Sequence, residues 1–373
     1  MLLIAACNDE PIRVLVITSF SPESEGVGNL VSIEGCGFGV ETGAMNVDFN
    51  GTLAEIISLN DSLLMVEIPS GATTGPISIQ VSDQMIRSDQ DFTVLEGTWT
   101  QKQGIPAEVG FGASVGFAFG GYGYVGAGGD NGRILDDFWK YDPSSDSWTD
   151  LPTIPNGARR FSSGFVIGNQ VYVVLGVKDN ETEITREFYA FGLLTNTWNR
   201  FNDFPGTLPD FRDTYPAFMI GNEGYLLLGE EIWHYDPGKD EWILVDTYPG
   251  AGTSSHVTEV IDKLAYIGLG FNDAFDWWSY DPETKEWKEL AIFPGDLTWG
   301  LQSFQLRGKI YVVGKTCWEY DPITNQWIQR NSHPDGRRFA TAFSIGEKGY
   351  FGTGISESGM SQFQKDFWDF SLE

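Results

Sequence analysis

Apolar and polar residues alternate in short runs along the first quarter of the chain, and turn-forming residues interrupt them every eight to twelve positions. Pro11 to Ser21, Leu30-Val31-Ser32-Ile33-Glu34-Gly35, Met45-Asn46-Val47-Asp48-Phe49, Leu63-Leu64-Met65-Val66-Glu67 and Ile77-Ser78-Ile79-Gln80-Val81 each place side chains on two faces with a period of two. That spacing predicts a small antiparallel β-sandwich over residues 11–95, with one face of each strand in the core.

From residue 96 the alternation continues but gains a long period. Trp139-Lys140-Tyr141-Asp142-Pro143, Trp233-His234-Tyr235-Asp236-Pro237, Trp278-Ser279-Tyr280-Asp281-Pro282 and Trp318-Glu319-Tyr320-Asp321-Pro322 are each followed by a second Trp, at 148, 242, 287 and 327. Tyr189-Ala190-Phe191-Gly192-Leu193 with Trp198 is a degenerate copy, and Trp368-Asp369-Phe370 is a sixth without its second Trp. Successive copies lie 50, 44, 45, 40 and 50 residues apart. Before each copy stands an apolar hairpin whose Tyr recurs at 124, 172, 225, 266, 311 and 350. Strand-rich repeats of this length predict propeller blades, because one four-stranded blade cannot bury both faces without neighbours. Trp-x-Tyr puts two rings on one side of a strand, and Asp-Pro opens a tight turn in which the carboxylate accepts from the backbone ahead. Trp99, in Gly97-Thr98-Trp99-Thr100, has no blade of its own. It is the predicted outer strand of blade six, closing a six-bladed ring over residues 96–373.

These motifs resemble the kelch repeat. The Gly-Gly doublet of that family survives only as Gly128-Gly129, while the other blades keep Gly176, Gly229, Gly270, Gly314 and Gly354. In the N-terminal segment, Ser19-Phe20-Ser21-Pro22, Ile33-Glu34-Gly35-Cys36-Gly37-Phe38-Gly39, Val47-Asp48-Phe49-Asn50-Gly51 and Ile68-Pro69-Ser70-Gly71 occur in order and resemble an IPT/TIG immunoglobulin-like domain. The expected fold is therefore all-β, an immunoglobulin-like sandwich followed by a six-bladed kelch-type propeller. The IPT/TIG resemblance implies a spacer or interaction module. Leu2-Leu3-Ile4-Ala5-Ala6-Cys7 resembles the end of a bacterial lipoprotein signal, which implies lipidation of Cys7, a start upstream of Met1, and residues 1–10 as signal remnant and tether. Asn8-Asp9-Glu10 resembles the export signal of Bacteroidetes surface lipoproteins, so the expected location is the outer membrane or cell surface, with the periplasm as the alternative.

Charge narrows the partners. With 52 acidic against 23 basic residues the net charge is −29, which repels nucleic acid and anionic lipid. A lipid anchor is the expected membrane attachment, and no cofactor is expected. Three histidines without ligand spacing argue against zinc or a copper oxidase site, and no nucleophile elbow or phosphate loop is present. Cys36 and Cys317 read as buried small hydrophobes.

The loops divide the propeller into two faces. Asp-Pro turns and hairpins such as Gly168-Asn169 are uniformly tight, whereas the loops from Gly176 to Glu187, Gly270 to Asp276 and Gly354 to Asp366 are long and varied. Variable loops on a rigid scaffold carry binding, so the ligand is expected on their face. Aligned on the hairpin Tyr, Arg159, Arg212 and Arg337 share one slot at the blade-to-blade crossing, with Phe111. Arg160, Arg338 and Trp299 share the next, near Asp213 and His256. Guanidinium groups around the channel would hold carboxylates or sugar acids, and Trp299 would stack on a sugar or peptide. The alternative use of the first-slot arginines is to satisfy carbonyls between blades. Trp277 is expected to pack under its own loop. The leading reading is a non-enzymatic surface protein that binds a glycan or protein. The alternative is a sialate-mutarotase-like sugar-acid isomerase, because some kelch propellers are enzymes.

Overall fold

The computed structural model describes residues 14–39, 45–130, 132–178, 184–209, 213–356 and 362–372. The chain divides into two compact units, Met1–Thr98 with Arg330–Pro334 and Leu372–Glu373, and Trp99–Gln329 with Asp335–Ser371.

The first unit contains two sheets. One orders Val16–Ser21, Leu30–Cys36, Leu63–Glu67 and Glu55–Leu59; the other orders Ser24–Gly26, Gln84–Leu95, Gly75–Val81, Met45–Phe49 and Thr52–Leu53. The alternation read from the sequence appears directly in burial. Val31, Ile33, Val47, Phe49, Leu64, Val66, Ile77 and Ile79 fill the core. Phe49 and Phe20 both pack on Phe92, with centroids 5.0 and 6.0 Å apart. Cys36 is half-buried, so its expected place in the core is not observed; its Sγ lies 3.7 Å from the Val14 carbonyl oxygen.

The second unit is built on six four-stranded antiparallel blades among the described residues. Blade one runs Val115–Phe119, Tyr122–Gly126, Phe138–Asp142, Ser147–Leu151 from the axis outward. The innermost strands of blades two to six are Ser163–Ile167, Ala217–Ile220, Val257–Ile261, Gln302–Leu306 and Thr341–Ile345. Thr98–Lys102 pairs with Phe367–Ser371 as the outer strand of blade six. Trp99 packs there against Phe370, Phe351 and Phe304, with centroids 4.9, 5.9 and 6.4 Å away.

The repeat residues have separate duties. In the Asp-Pro turns Asp142, Asp236, Asp281 and Asp321 each accept the backbone N–H two residues on, at 2.8–2.9 Å. The repeat Tyr hydroxyl reaches across the same turn: Tyr141 donates to Asp146, Tyr235 to Asp240 and Tyr320 to Asn325, at 2.7–2.9 Å. The outer Trp fastens a blade to the chain before it, Trp148 donating to the Gln103 carbonyl, Trp198 to that of Pro152 and Trp327 to that of Ala291. Trp277 corrects the expectation made for it. It occupies the interblade slot held by Phe138, Phe188 and Phe367 in other blades, and meets Tyr320 and Trp327 edge-on at 5.9 and 5.5 Å.

Candidate functional site

Five of the six crossing segments bend before their innermost strands. Eleven residues before the hairpin Tyr stand Ala113, Phe161, Ser255, Gly300 and Phe339, all with φ between 52° and 72°. A left-handed bulky residue is strained, and Phe161 and Phe339 bear that strain at the ring's inner rim. The bend turns each N–H toward the neighbouring blade. Phe161 N donates to Ala113 O, Ala113 N to Phe339 O, Phe339 N to Gly300 O and Ser255 N to Thr214 O, at 2.7–3.0 Å. A second tier of such bonds uses the retained kelch glycine in blades one, four and six. Gly128, Gly270 and Gly354 donate to the carbonyls of Arg159, Thr298 and Phe111. At Gly270, φ is +112° and a Cβ would stand 2.5 Å from the Ser254 carbonyl oxygen.

The first-slot arginines are absorbed by this frame. Arg159 is 0% exposed and donates to Glu187 and to the Pro155 carbonyl, both at 3.0 Å. Burial pushes the Glu187 carboxyl up, but the Lys178 hydrogen bond, the Arg159 charge and Asn156 outweigh it and hold the group below its ordinary value. Arg337 is 1% exposed; it donates to both Asp366 oxygens at 2.8–2.9 Å and to Asp335. Both guanidinium groups are therefore removed from the open face, which corrects their assignment as ligand contacts. The carboxylate partners sit immediately before the third strands of their own blades, and the Trp368 indole fixes Asp366 at 2.7 Å. Arg212 lies outside the described residues.

Asp213 and His256 are also interior. Asp213, 4% exposed, accepts from the Ser254 and Ser255 hydroxyls at 2.6 Å and from Thr214 N–H at 2.8 Å, binding the third crossing to the fourth. His256 is 6% exposed and edge-on to Tyr248 at 5.1 Å. Burial lowers its pKa to about 4, so the imidazole is neutral at physiological pH.

The second slot behaves differently. Arg160, Trp299 and Arg338 are half-buried. Arg338 lies over the Trp299 ring at 4.5 Å, and Trp299 meets Phe339 at 5.6 Å and Phe271 at 6.1 Å. Phe339 in turn meets Phe161 at 6.2 Å, and Arg160 packs on Phe161 while donating to the Asp130 carbonyl at 3.0 Å. Partly exposed rings and guanidinium groups thus form a continuous cluster over blades two, four, five and six.

Inside this rim runs an axial channel of about 510 Å³, walled by the innermost strands of all six blades. Small residues line it, among them Gly116, Gly164, Ala217, Ser303 and Ala342. Seven residues before the hairpin Tyr stand Phe117, Phe165, Phe218, Phe304 and Phe343, each stacked on that Tyr with centroids 5.1–5.9 Å apart. Blade four has Glu259 in this column, paired across the hairpin with Tyr266. It keeps partial exposure on the channel wall although protein surrounds it, and burial raises its pKa to about 7 against an opposing Ser303 hydrogen bond. Sequence reasoning missed Glu259. Extending the alignment on the Tyr to this column would have exposed it.

Residues 15–94 match the IPT/TIG domain family and residues 117–155 the kelch motif family. The chain is 26% identical over 213 residues to Kelch-like protein 35 of Mus musculus, covering 52% of this chain and 34% of that protein. It is 27% identical over 157 residues to Kelch-like protein terF of Aspergillus terreus, covering 38% and 32%. Kelch-like protein 23 of Pongo abelii is 26% identical over 204 residues, covering 50% and 35%. The chain thus spans about a third of the length of these relatives. The solved structure of YjhT superposes with a TM-score of 0.60 at 13% identity, covering 72% of this chain and 96% of that one, a likeness of fold. Repeat, blade topology and domain matches agree: the chain consists of an IPT/TIG immunoglobulin-like domain followed by a kelch-type propeller.

Proposed function

We propose that the propeller is a binding module that takes a glycan or protein ligand on the crossing-loop face, at the rim formed by Trp299, Arg338, Phe339, Phe161 and Arg160. The observation carrying this reading is the Arg338–Trp299 stack among half-buried rings, two of them on strained backbone. Partly exposed rings beside guanidinium donors suit a sugar ring or a peptide, with acidic groups favoured against the −29 background. The IPT/TIG domain serves as spacer, and a lipid on Cys7 holds the protein at the outer membrane or cell surface. The lipoprotein-like residues Leu2 to Cys7 support that part of the proposal. Cys7 lies outside the described residues.

The isomerase alternative needs a guanidinium and a carboxylate converging on one sugar. Arg159 and Arg337 are instead held against Glu187 and Asp366 inside the blades, which favours binding over catalysis. A glycan and peptide array probed with the wild-type protein and with Trp299→Ala tests the reading. Ligands retained by the first and lost by the second are expected, and identical hit patterns for both would refute the rim as the site.

A further inference from the structure

Glu259 and its neighbour in the next blade together replace a Phe–Gly pair that recurs at three other seams. Phe165, Phe304 and Phe343 each pack on a glycine of the following blade, Gly224, Gly349 and Gly123, leaving no room for a Cβ there. In the position equivalent to those glycines, the blade after Glu259 carries Ile310, which is fully buried. Ile310 itself fills space that a glycine leaves to the ring elsewhere, so packing at this seam is served without requiring a carboxyl. Leu or Met would fill the same space without desolvating an acid. A side chain that costs stability, set on the wall of an open cavity, points to a ligand.

We propose that the axial channel binds a small organic cation, a primary amine or a quaternary ammonium, with the Glu259 carboxylate as its counter-ion. The lining contains no Lys or Arg among the described residues. Its other titratable groups are His256 and Tyr215, which burial keeps neutral, His256 by lowering its pKa to about 4 and Tyr215 by raising its own. A cation within the channel, past the rim guanidinium groups, therefore meets one carboxylate and no positive charge in the lining. The net charge of −29 supplies a field that favours a cation. The Ser303 hydroxyl beside Glu259 offers a second polar contact, and the partly exposed Phe117, Ala217 and Ala342 present carbon to the apolar part of the ligand. Because Glu259 titrates near neutrality, binding couples to its ionisation: a nearby positive charge favours the ionised carboxylate and draws its pKa down.

The test uses benzylammonium and choline as probes, benzyl alcohol as the neutral isostere, and isothermal titration calorimetry at pH 6 and pH 8. The expected result is saturable binding of both cations, about tenfold tighter at pH 8, with benzyl alcohol inert. Glu259→Gln should abolish this binding while melting cooperatively, and Trp299→Ala should leave it intact, which separates the channel from the rim. Equal binding of benzyl alcohol, unchanged binding by Glu259→Gln, or no heat from either cation at millimolar concentration would overturn the proposal. Should Glu259→Gln fail to fold, carbon-detected NMR of the wild type decides. The Glu259 carboxyl midpoint must fall when benzylammonium is added, and an unmoved midpoint contradicts the site.

Discussion

Glu259 and His256 lie three residues apart at the head of the innermost strand of blade four, and burial shifts them in opposite senses. Glu259 rises from 4.5 to about 7, so between those values the folded state holds more protons and stability falls as pH rises. His256 drops from 6.5 to about 4, so there the unfolded state holds more protons and stability rises with pH. The windows overlap between pH 4.5 and 6.5, where the two slopes oppose. Relative to wild type, Glu259→Gln should steepen the rise of stability with pH across that overlap, and His256→Asn should turn it toward a fall. Urea titrations at several pH values check this; parallel profiles for all three proteins would show the groups to be less desolvated than their positions indicate. At the rim, Trp299→Ala should weaken a stacked ligand by about 1–3 kcal/mol, as hot-spot aromatics do. Arg338→Ala should weaken an acidic ligand more than a neutral one, measured by titration of matched ligands.

Crossing segments and third strands are coupled by ion pairs that composition conceals. Arg159 and Arg160 are adjacent and chemically identical, yet one is enclosed against Glu187 and the other half-exposed over Phe161. Arg159→Ala leaves a mostly buried carboxylate without its guanidinium and should cost about 3–5 kcal/mol. Arg160→Ala loses one hydrogen bond to the Asp130 carbonyl and should cost about 1 kcal/mol. Denaturant melts separate the two, and equal losses would contradict the distinction. The blade elements were legible because Trp, Tyr and Asp-Pro recur with the strand period and each performs a local task within its turn. Burial of the first-slot arginines was not, because it depends on Glu187 and Asp366, 28 and 29 residues farther along. A trace existed nonetheless: Asp137, Glu187, Asp276 and Asp366 each precede a third strand. Trp277 was misplaced because its slot is filled by Phe in three other blades, so the extra Trp looked off-pattern rather than enlarged.

For the whole molecule, closure rests on the strand Thr98–Lys102, which the lone Trp at each end of the repeat array foretold. Trp99→Ala removes a ring packed on three phenylalanines and should destabilise the propeller by about 3–5 kcal/mol. Deleting residues 97–101 should do more, by exposing the edge of blade six. A calorimetric transition unchanged by either would mean that the ring closes without that strand. The choice of face came from loop variability, and of the residues aligned on it the structure leaves Arg160, Trp299 and Arg338 partly exposed and encloses Arg159 and Arg337. Hydrogen exchange of the wild-type protein, with and without a ligand found on the array, tests that choice most directly. New protection at residues 159–163, 299–301 and 337–341, with none in the Asp-Pro turns at 142–147 and 281–286, is the predicted result. Protection confined to those turns would contradict it.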